Sequence, residues 1–453
     1  MKKVRIASGS SYWGDMLEPA IEVAEKGDVK YIGFDHLAEL TMAIMQRMKA
    51  KDPTKGYIPD LIPWMDALLP ICHPKGIKLI TNAGGVNPEA AAEEVIKIAR
   101  AHNITNLKIG VISETDMFEK MKELRAKGME FPNLDTGEKD IESIESKIMA
   151  ANAYIGADMI IEALKNGADV VIAGRVSDTA LYVGPLMYEF GWEFKEPYWD
   201  RIGAAVTIGH LIECAENVTG GLSGQWDKVK NMAQIGYPIA EVSENGDVLL
   251  SKVAGSGGIL NQWTVKEQLT YEVHDPANYI MPDGIADFTT VKVQEVGEDQ
   301  VRVTGMTGKP RPEKLKVQVG YKDGFISEGL ILLPWPDAYA KAKQAEQTAR
   351  KRFEIVGLKA RELRFDYVGI NTLHGELAPE PNYEPNEVGL RIVARTDSLE
   401  EAGKVGREAT HLWTLGGTGS SYGTPYRPRP VISLWPTLVP RDEVPLKLTM
   451  KEV

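Results

Sequence analysis

The sequence predicts an α/β fold: an N-terminal, largely parallel sheet flanked by helices, followed by a mixed α+β domain. Three observations carry this. From residue 1 to about 225, short apolar runs alternate with helical patterns, as parallel strands buried on both faces require. After residue 226 the pattern changes to paired strand-like runs joined by turn residues. The length of 453 residues exceeds the roughly 250–300 residues at which one core stops growing, so two domains, 1–225 and 226–453, are expected.

Taken in order, the predicted strands of the first part are Val4–Ala7, Tyr31–Phe34, Lys78–Thr81, Leu107–Ile112 and Asp169–Ala173. Amphipathic stretches between them, including Leu37–Met48, Pro88–Ala101 and Asp158–Asn166, read as covering helices. In the second part Ala240–Val242 and Val248–Val253 flank Asn245-Gly246, a dipeptide that tolerates the positive φ of a tight hairpin turn. Further strand-like runs follow at Thr289–Val296, Val301–Thr304, Lys314–Val319 and Gly389–Arg395. Helices are expected at Thr264–Val273, Ala338–Glu354 and Ser398–Leu415. The tail from Gly416, with Tyr426-Arg-Pro-Arg-Pro430, is expected to be extended, because proline lacks the N–H that a helix interior needs.

Composition narrows the partners. Fifty-two Lys and Arg against 64 Asp and Glu give a net charge of -12, a field that repels nucleic acid and anionic lipid surfaces. A small anionic substrate therefore needs a local positive pocket. Cys72 and Cys214 form no CxxC pair or metal spacing, no stretch approaches the roughly 20 apolar residues of a membrane helix, and the N-terminus lacks a signal-peptide core. These features place the chain in the cytoplasm, and a homo-oligomer is expected.

In open parallel sheets ligands bind beyond the carboxyl ends of the strands. The first such loop, Ser8–Asp15, offers glycine backbone and the hydroxyls of Ser10 and Ser11 to an anion, with Asp15 as a further polar group; the alternative is a capped turn. It matches neither GxGxxG nor a Walker motif. The second loop carries Asp35, one helical turn before Glu39. Two carboxylates on one helix face raise one pKa and create an acid or base near neutrality. The plainer alternative makes Asp35 an N-cap and Glu39 a solvated residue.

The third loop, Thr81–Glu89, offers Gly84 and Gly85 to an anion and the Asn82 amide to a carbonyl or carboxylate, with Asn87 as N-cap. The fourth, Ser113–Asp116, reads as a cap with an acidic first turn. In the fifth, Arg175 leaves a buried strand, which is costly unless it meets an anion: either a substrate carboxylate held in a bidentate fork, or Asp178, Asp15 or Asp35. Asp178 is then its partner or the catalytic base. His374, after a strand-like run, is a further acid or base candidate, set against a structural hydrogen-bonded histidine.

Other motifs argue against familiar chemistries. Gly255–Gly258 lacks the βαβ setting of a dinucleotide site. Gly419–Gly423 matches GxSxG but follows a helix, with no histidine beyond His411 to complete a triad. No HExxH or close histidine pair suggests a metal site.

The stretches Ser8–Asp15, Asp35–Thr41, Thr81–Pro88, Asp169–Asp178, Gly236–Glu241 and Pro428–Pro440 together resemble the acyclic terpene utilisation (AtuA) family and cover nearly the whole chain. The resemblance implies a bacterial-type catabolic protein associated with branched carboxylic acid or acyl-CoA breakdown. His36 stands where the family is expected to carry an aromatic residue. The leading expectation is a lyase, hydratase or isomerase that requires no cofactor: Arg175 and the first loop hold the anion, Asn82 polarises a carbonyl, and Asp35 or Asp178 moves the proton. The alternatives are a hydrolase of a small lactone, amide or thioester, and a non-catalytic subunit of a catabolic complex.

Overall fold

The four-residue runs Tyr31–Phe34, Lys78–Thr81 and Val170–Ala173 are strands, buried almost throughout because they lie at the centre of a sheet. In the computed structural model, which describes residues 2–422 and 427–453, they are joined by Lys3–Ser10 and Lys108–Ser113. All five run parallel, with Ile6 beside Tyr31, Tyr31 beside Lys78, Leu79 beside Val170 and Val170 beside Ile109. Parallel pairing brings their carboxyl ends, and so the five polar loops, to one edge of the sheet. The helix Pro88–Ala101 lies where the sequence predicts it, turning Ala91, Ala92, Val95 and Ala99 into the core.

The sheet then continues on both sides. Pro238–Ser243 lies antiparallel to the first strand, and Val248–Lys252, Gln300–Thr304 and Lys292–Gly297 follow outward, while Lys447–Glu452 closes the other side against Lys108–Ser113. The hairpins after residue 225 therefore extend the first sheet, and the boundary expected at 225/226 falls inside one unit. That unit runs to Gly320 and takes back Leu434–Val453; the second is Tyr321–Ser433. Antiparallel strands need only main-chain partners at a sheet edge, so a change of pattern along the chain did not mark a change of core.

In the second unit, Glu387–Thr396 pairs antiparallel with Glu362–Val368 and with Phe325–Pro334. The helices Ala338–Ile355 and Leu399–Leu415 contribute Ala342, Ala345, Phe353, Val405 and Leu412 to its core together with Ile331, Leu390 and Ile392. Gly423 and Tyr426, read as part of the GxSxG match and the extended tail, lie outside the described residues.

Three local expectations shift. The helix expected from Leu37 starts at Glu39. The strand expected from Thr289 starts at Lys292, after a single 3-10 turn at Phe288–Thr290. The helix expected at Thr264–Val273 spans Gln262–Thr270, fixed by Asn261, whose side chain accepts from the N–H groups of Trp263 and Thr264.

Candidate active site

The centre of the strand-end edge is organised by Asn82, which is fully buried. Its Oδ1 accepts from the His36 N–H at 2.8 Å, and its Nδ2 donates to Asp35 Oδ1 at 2.6 Å. The Leu37 N–H also donates to Asp35 Oδ1, at 3.1 Å. Asp35 thus closes a turn ahead of the helix. Ala38 occupies the N-cap position and Glu39 the first helical position, which overturns both sequence readings of Asp35: it is neither the N-cap nor a first-turn residue paired across one helix face with Glu39. With both ends of its amide committed inside the protein, Asn82 orients Asp35 rather than facing a substrate carbonyl.

Arg175 leaves the strand Val170–Ala173 and is 1 % exposed. Its Nη1 donates to the Leu37 carbonyl at 2.6 Å and to Asp178 Oδ1 at 3.0 Å, and its guanidinium lies 4.0 Å over the Tyr154 ring. The pairing with Asp178 is the internal-partner alternative for this arginine. Its Nε is buried and, among the described residues, has no hydrogen-bond partner. On the same ring, Lys316 Nζ sits 4.1 Å from the centroid and reaches Glu39 at 3.4 Å. Lys316, Glu39 and Asp178 remain 37 %, 42 % and 34 % exposed at the side chain, so they, and not Asp35 or Arg175, form the solvent-facing part of the cluster.

This crowding sets the protonation states. Burial pushes the Asp35 carboxyl well above its ordinary range, and the nearby Asp178 charge pushes it further; Arg175 and Asn82 only partly offset this. Asp178 is also raised, first by loss of solvation and then by Glu39, against the pull of Arg175. A third of its side chain stays open, so this is the state of a carboxylate in a recess rather than of a sealed one. For Glu39, burial is opposed by the Tyr154 hydroxyl, Arg175 and Lys316, which together lower it to about 2. Burial works against the Arg175 charge, and Asp178, Tyr154, Asp35 and Glu39 outweigh it. The cluster therefore combines a fixed cation, an ionised Glu39 and two carboxylates that hold protons more tightly than free ones.

Glu213 adds a fourth carboxylate, raised well above its ordinary value by burial and by Asp178. It lies 3.2 Å from His210 Nδ1, while His210 Nε2 lies 2.8 Å from the Gln268 carbonyl. A carbonyl only accepts, so Nε2 carries the proton and Nδ1 accepts. The neutral imidazole, lowered to about 4 by burial, is thus matched to a protonated Glu213, with the Tyr279 hydroxyl also 3.2 Å from Nδ1.

The first loop serves a ligand of its own. Ser8 and Ser10 belong to the strand Lys3–Ser10, where the register slips between them; Ser10 Oγ donates to the Asp35 carbonyl at 2.9 Å. The Asp15 carboxylate receives the Ser11 N–H at 2.7 Å, Ser11 Oγ at 3.1 Å, the Met16 N–H at 2.7 Å and the Tyr237 hydroxyl at 2.7 Å. The Ser11 donors expected to hold a substrate anion are occupied by the Asp15 carboxylate and the Ser10 hydroxyl by the Asp35 carbonyl, as in the capped-turn alternative. Glu216 stands beside it, raised to about 7 by burial and by Asp15.

The glycine turn is likewise internally satisfied. The Gly84 N–H donates to the Ala173 carbonyl and the Gly85 N–H to the Asn82 carbonyl. A Cβ on Gly84 would lie 2.6 Å from the Ala173 oxygen, and Gly85 has φ +55, so close approach and turn geometry account for both glycines. Asn87 holds the N-cap position, but its side chain donates to the Pro53 and Lys55 carbonyls. His374 belongs to the second unit and is exposed, and the cluster in the first unit is assembled without it.

Sequence reasoning did not single out Tyr154, Lys316, Glu213 or Glu216. Tyr154 and Lys316 meet through main-chain pairing, the Tyr154 N–H donating to the Lys316 carbonyl at 2.8 Å, a contact that local pattern does not encode. Glu213 had one legible signal: it ends a long apolar helix, Trp199–Glu213, whose residues from Ile202 onward are buried. Among the described residues, no group of three or more His, Cys, Asp or Glu is arranged to hold a metal ion, and no helix is long and apolar enough to cross a membrane.

Comparison with known proteins agrees with the loop motifs. The model of the family described as acyclic terpene utilisation family protein AtuA matches residues 4–450. No curated protein matches the sequence.

Proposed function

The chain belongs to the acyclic terpene utilisation family, which points to a role in acyclic terpene catabolism, and we propose that it acts there as a proton-transfer enzyme, of lyase, hydratase or isomerase type, on a small branched carboxylate or acyl thioester. The observation that carries this reading is the Asp35–Arg175–Asp178 arrangement. Asp178 is open to solvent, raised toward the range useful for acid–base work, and backed by a fixed cation and a second proton-holding carboxylate. Asp178 moves the proton. Arg175 and Glu39 set its charge, Asn82 orients Asp35, and Lys316, over the Tyr154 ring, attracts the substrate anion.

The reaction is tested without knowing its product by incubating branched acids and their thioesters with the purified protein in deuterated water. Loss of α-proton signal by NMR is the expected result. Asp178→Asn should slow that exchange by about 100-fold or more, and Lys316→Met should raise KM with less effect on kcat. Full exchange in Asp178→Asn would overturn the assignment. Release of free acid without α-exchange would favour the hydrolase, and inertness towards all substrates the non-catalytic subunit.

A further inference from the structure

A cavity of about 350 Å³ opens beside Gly174, where the strands Lys78–Thr81, Lys108–Ser113 and Val170–Ala173 end. None of the groups assigned above to proton transfer lines it. Thr115 and Asn152 do; they are 5 % and 3 % exposed, and among the described residues their side chains make no hydrogen bond. Both side chains are nine-tenths buried or more, and their polar atoms reach the cavity, so a molecule bound there can pair with them. Two such groups in one cavity wall are an arrangement for something that binds there.

The charges indicate its chemistry. Lys49 Nζ donates to the Val86 carbonyl at 2.9 Å and, among the described residues, makes no salt bridge. The carboxylates around the cavity have their own partners: Glu89 with Lys451 at 3.3 Å, Glu114 with Lys447 at 3.8 Å, and Asp116 with the Phe118 N–H at 2.9 Å. Asp116 is satisfied by that main-chain N–H, and Lys49 is the lysine of the cavity wall without a carboxylate partner among the described residues; with the Thr115 hydroxyl and the Asn152 amide it offers a donor set for an anionic oxygen. Glu114, at φ +66, holds the neighbouring loop in a conformation that a non-glycine residue adopts only when its surroundings enforce it.

We propose that this cavity is a second subsite, which binds an anionic oxygen group, carboxylate or phosphate, at the far end of the substrate whose reacting carbon faces Asp178. The assignment of the reacting end rests on the function proposed above; the subsite itself rests on the cavity. Two elements run from one to the other. The helix Glu39–Lys51 begins at the Lys316 pair and presents Gln46 and Lys49 to the cavity seven and ten residues later, a rise of roughly 10–15 Å at 1.5 Å per residue. Asn152, in the strand Ile148–Ala153, precedes Tyr154 by two positions. The substrate class is therefore an acyl chain carrying anionic groups at both ends, about 10–15 Å apart.

Calorimetric titration of the full chain with sebacate, inorganic phosphate and decanoate tests this. Saturable binding of sebacate or phosphate is expected, with decanoate, which has one charged end, about tenfold weaker than sebacate. Binding of sebacate but not phosphate assigns a carboxylate, and the reverse assigns a phosphate. Lys49→Gln and Asn152→Leu should each weaken the interaction by about tenfold. Asp178→Asn should leave phosphate binding unchanged, which separates failure of the subsite from failure of the proposed reaction. No binding of either probe up to about 10 mM, or affinity unaltered in folded Lys49→Gln and Asn152→Leu proteins, overturns the proposal.

Discussion

Replacing Arg175 by Met removes the only guanidinium in the carboxylate cluster while keeping much of the side-chain volume. The variant leaves the Leu37 carbonyl and Asp178 without the donors they have at 2.6 and 3.0 Å, and takes the cation off the Tyr154 ring. Breaking a buried ion pair by deleting one partner costs about 3–5 kcal/mol. Asp178 is a third exposed, so solvent screening puts the loss near the lower end, about 3 kcal/mol. At roughly 2–4 °C per kcal/mol for large domains, the first unit should melt about 6–12 °C lower near neutral pH.

The deficit should also depend on pH, with a determined sign. Arg175 holds the Asp35 and Asp178 carboxyls below the values that burial alone would give them, so in the variant both rise further. A carboxyl raised in the folded state loses stability as pH rises from its unfolded value through its folded one, and costs nothing once protonated. Thermal unfolding followed by circular dichroism at about pH 8 and about pH 5 should therefore show a larger deficit at the higher pH. A variant that melts with the wild type at both values, or a deficit that grows on acidification, refutes the reasoning.

Asp35→Asn keeps an oxygen for the Leu37 N–H and the Asn82 amide and removes a desolvated charge; it should stabilise the protein by about 1 kcal/mol at about pH 8 and by little at about pH 5, measured by urea unfolding. Glu213→Gln preserves a donor for His210 Nδ1 and should stay within about 1 kcal/mol of wild type, whereas Glu213→Ala should lose about 1–3 kcal/mol; equal losses would show that Glu213 is ionised in the fold. In Gly84→Ala the new Cβ meets the main-chain oxygen of Ala173 at 2.6 Å, so a loss of about 2–3 kcal/mol is expected in the same assay.

The sequence by itself determined the central sheet and the edge that carries the candidate site. Four of the five central strands are short apolar runs buried on both faces, and Tyr31–Phe34 and Lys78–Thr81 have the same ends in sequence and structure. Polar residues that directly follow such strands, Asp35, Asn82 and Arg175, meet at one edge once the strands are parallel, and strand type alone requires that. Four of the six family stretches, Ser8–Asp15, Asp35–Thr41, Thr81–Pro88 and Asp169–Asp178, were legible for the same reason, since they include the ends of the parallel strands and the loops that follow.

Tertiary structure decided what each of those residues does. Ser11, Gly84, Gly85 and Asn82 offer donors that read equally well as substrate ligands or as internal caps, and only their partners distinguish the two. In the fold those partners are the Asp15 carboxylate, the Ala173 and Asn82 carbonyls and Asp35. Beyond burial, the carboxylates that raise Asp35 are Asp178 and then Glu213, both distant in sequence, and not Glu39, four residues away. A pKa depends on burial and on charges brought near through space, so the strand-end sequence located the cluster, and long-range packing, which also supplies Tyr154, Lys316 and Glu213, set its chemistry.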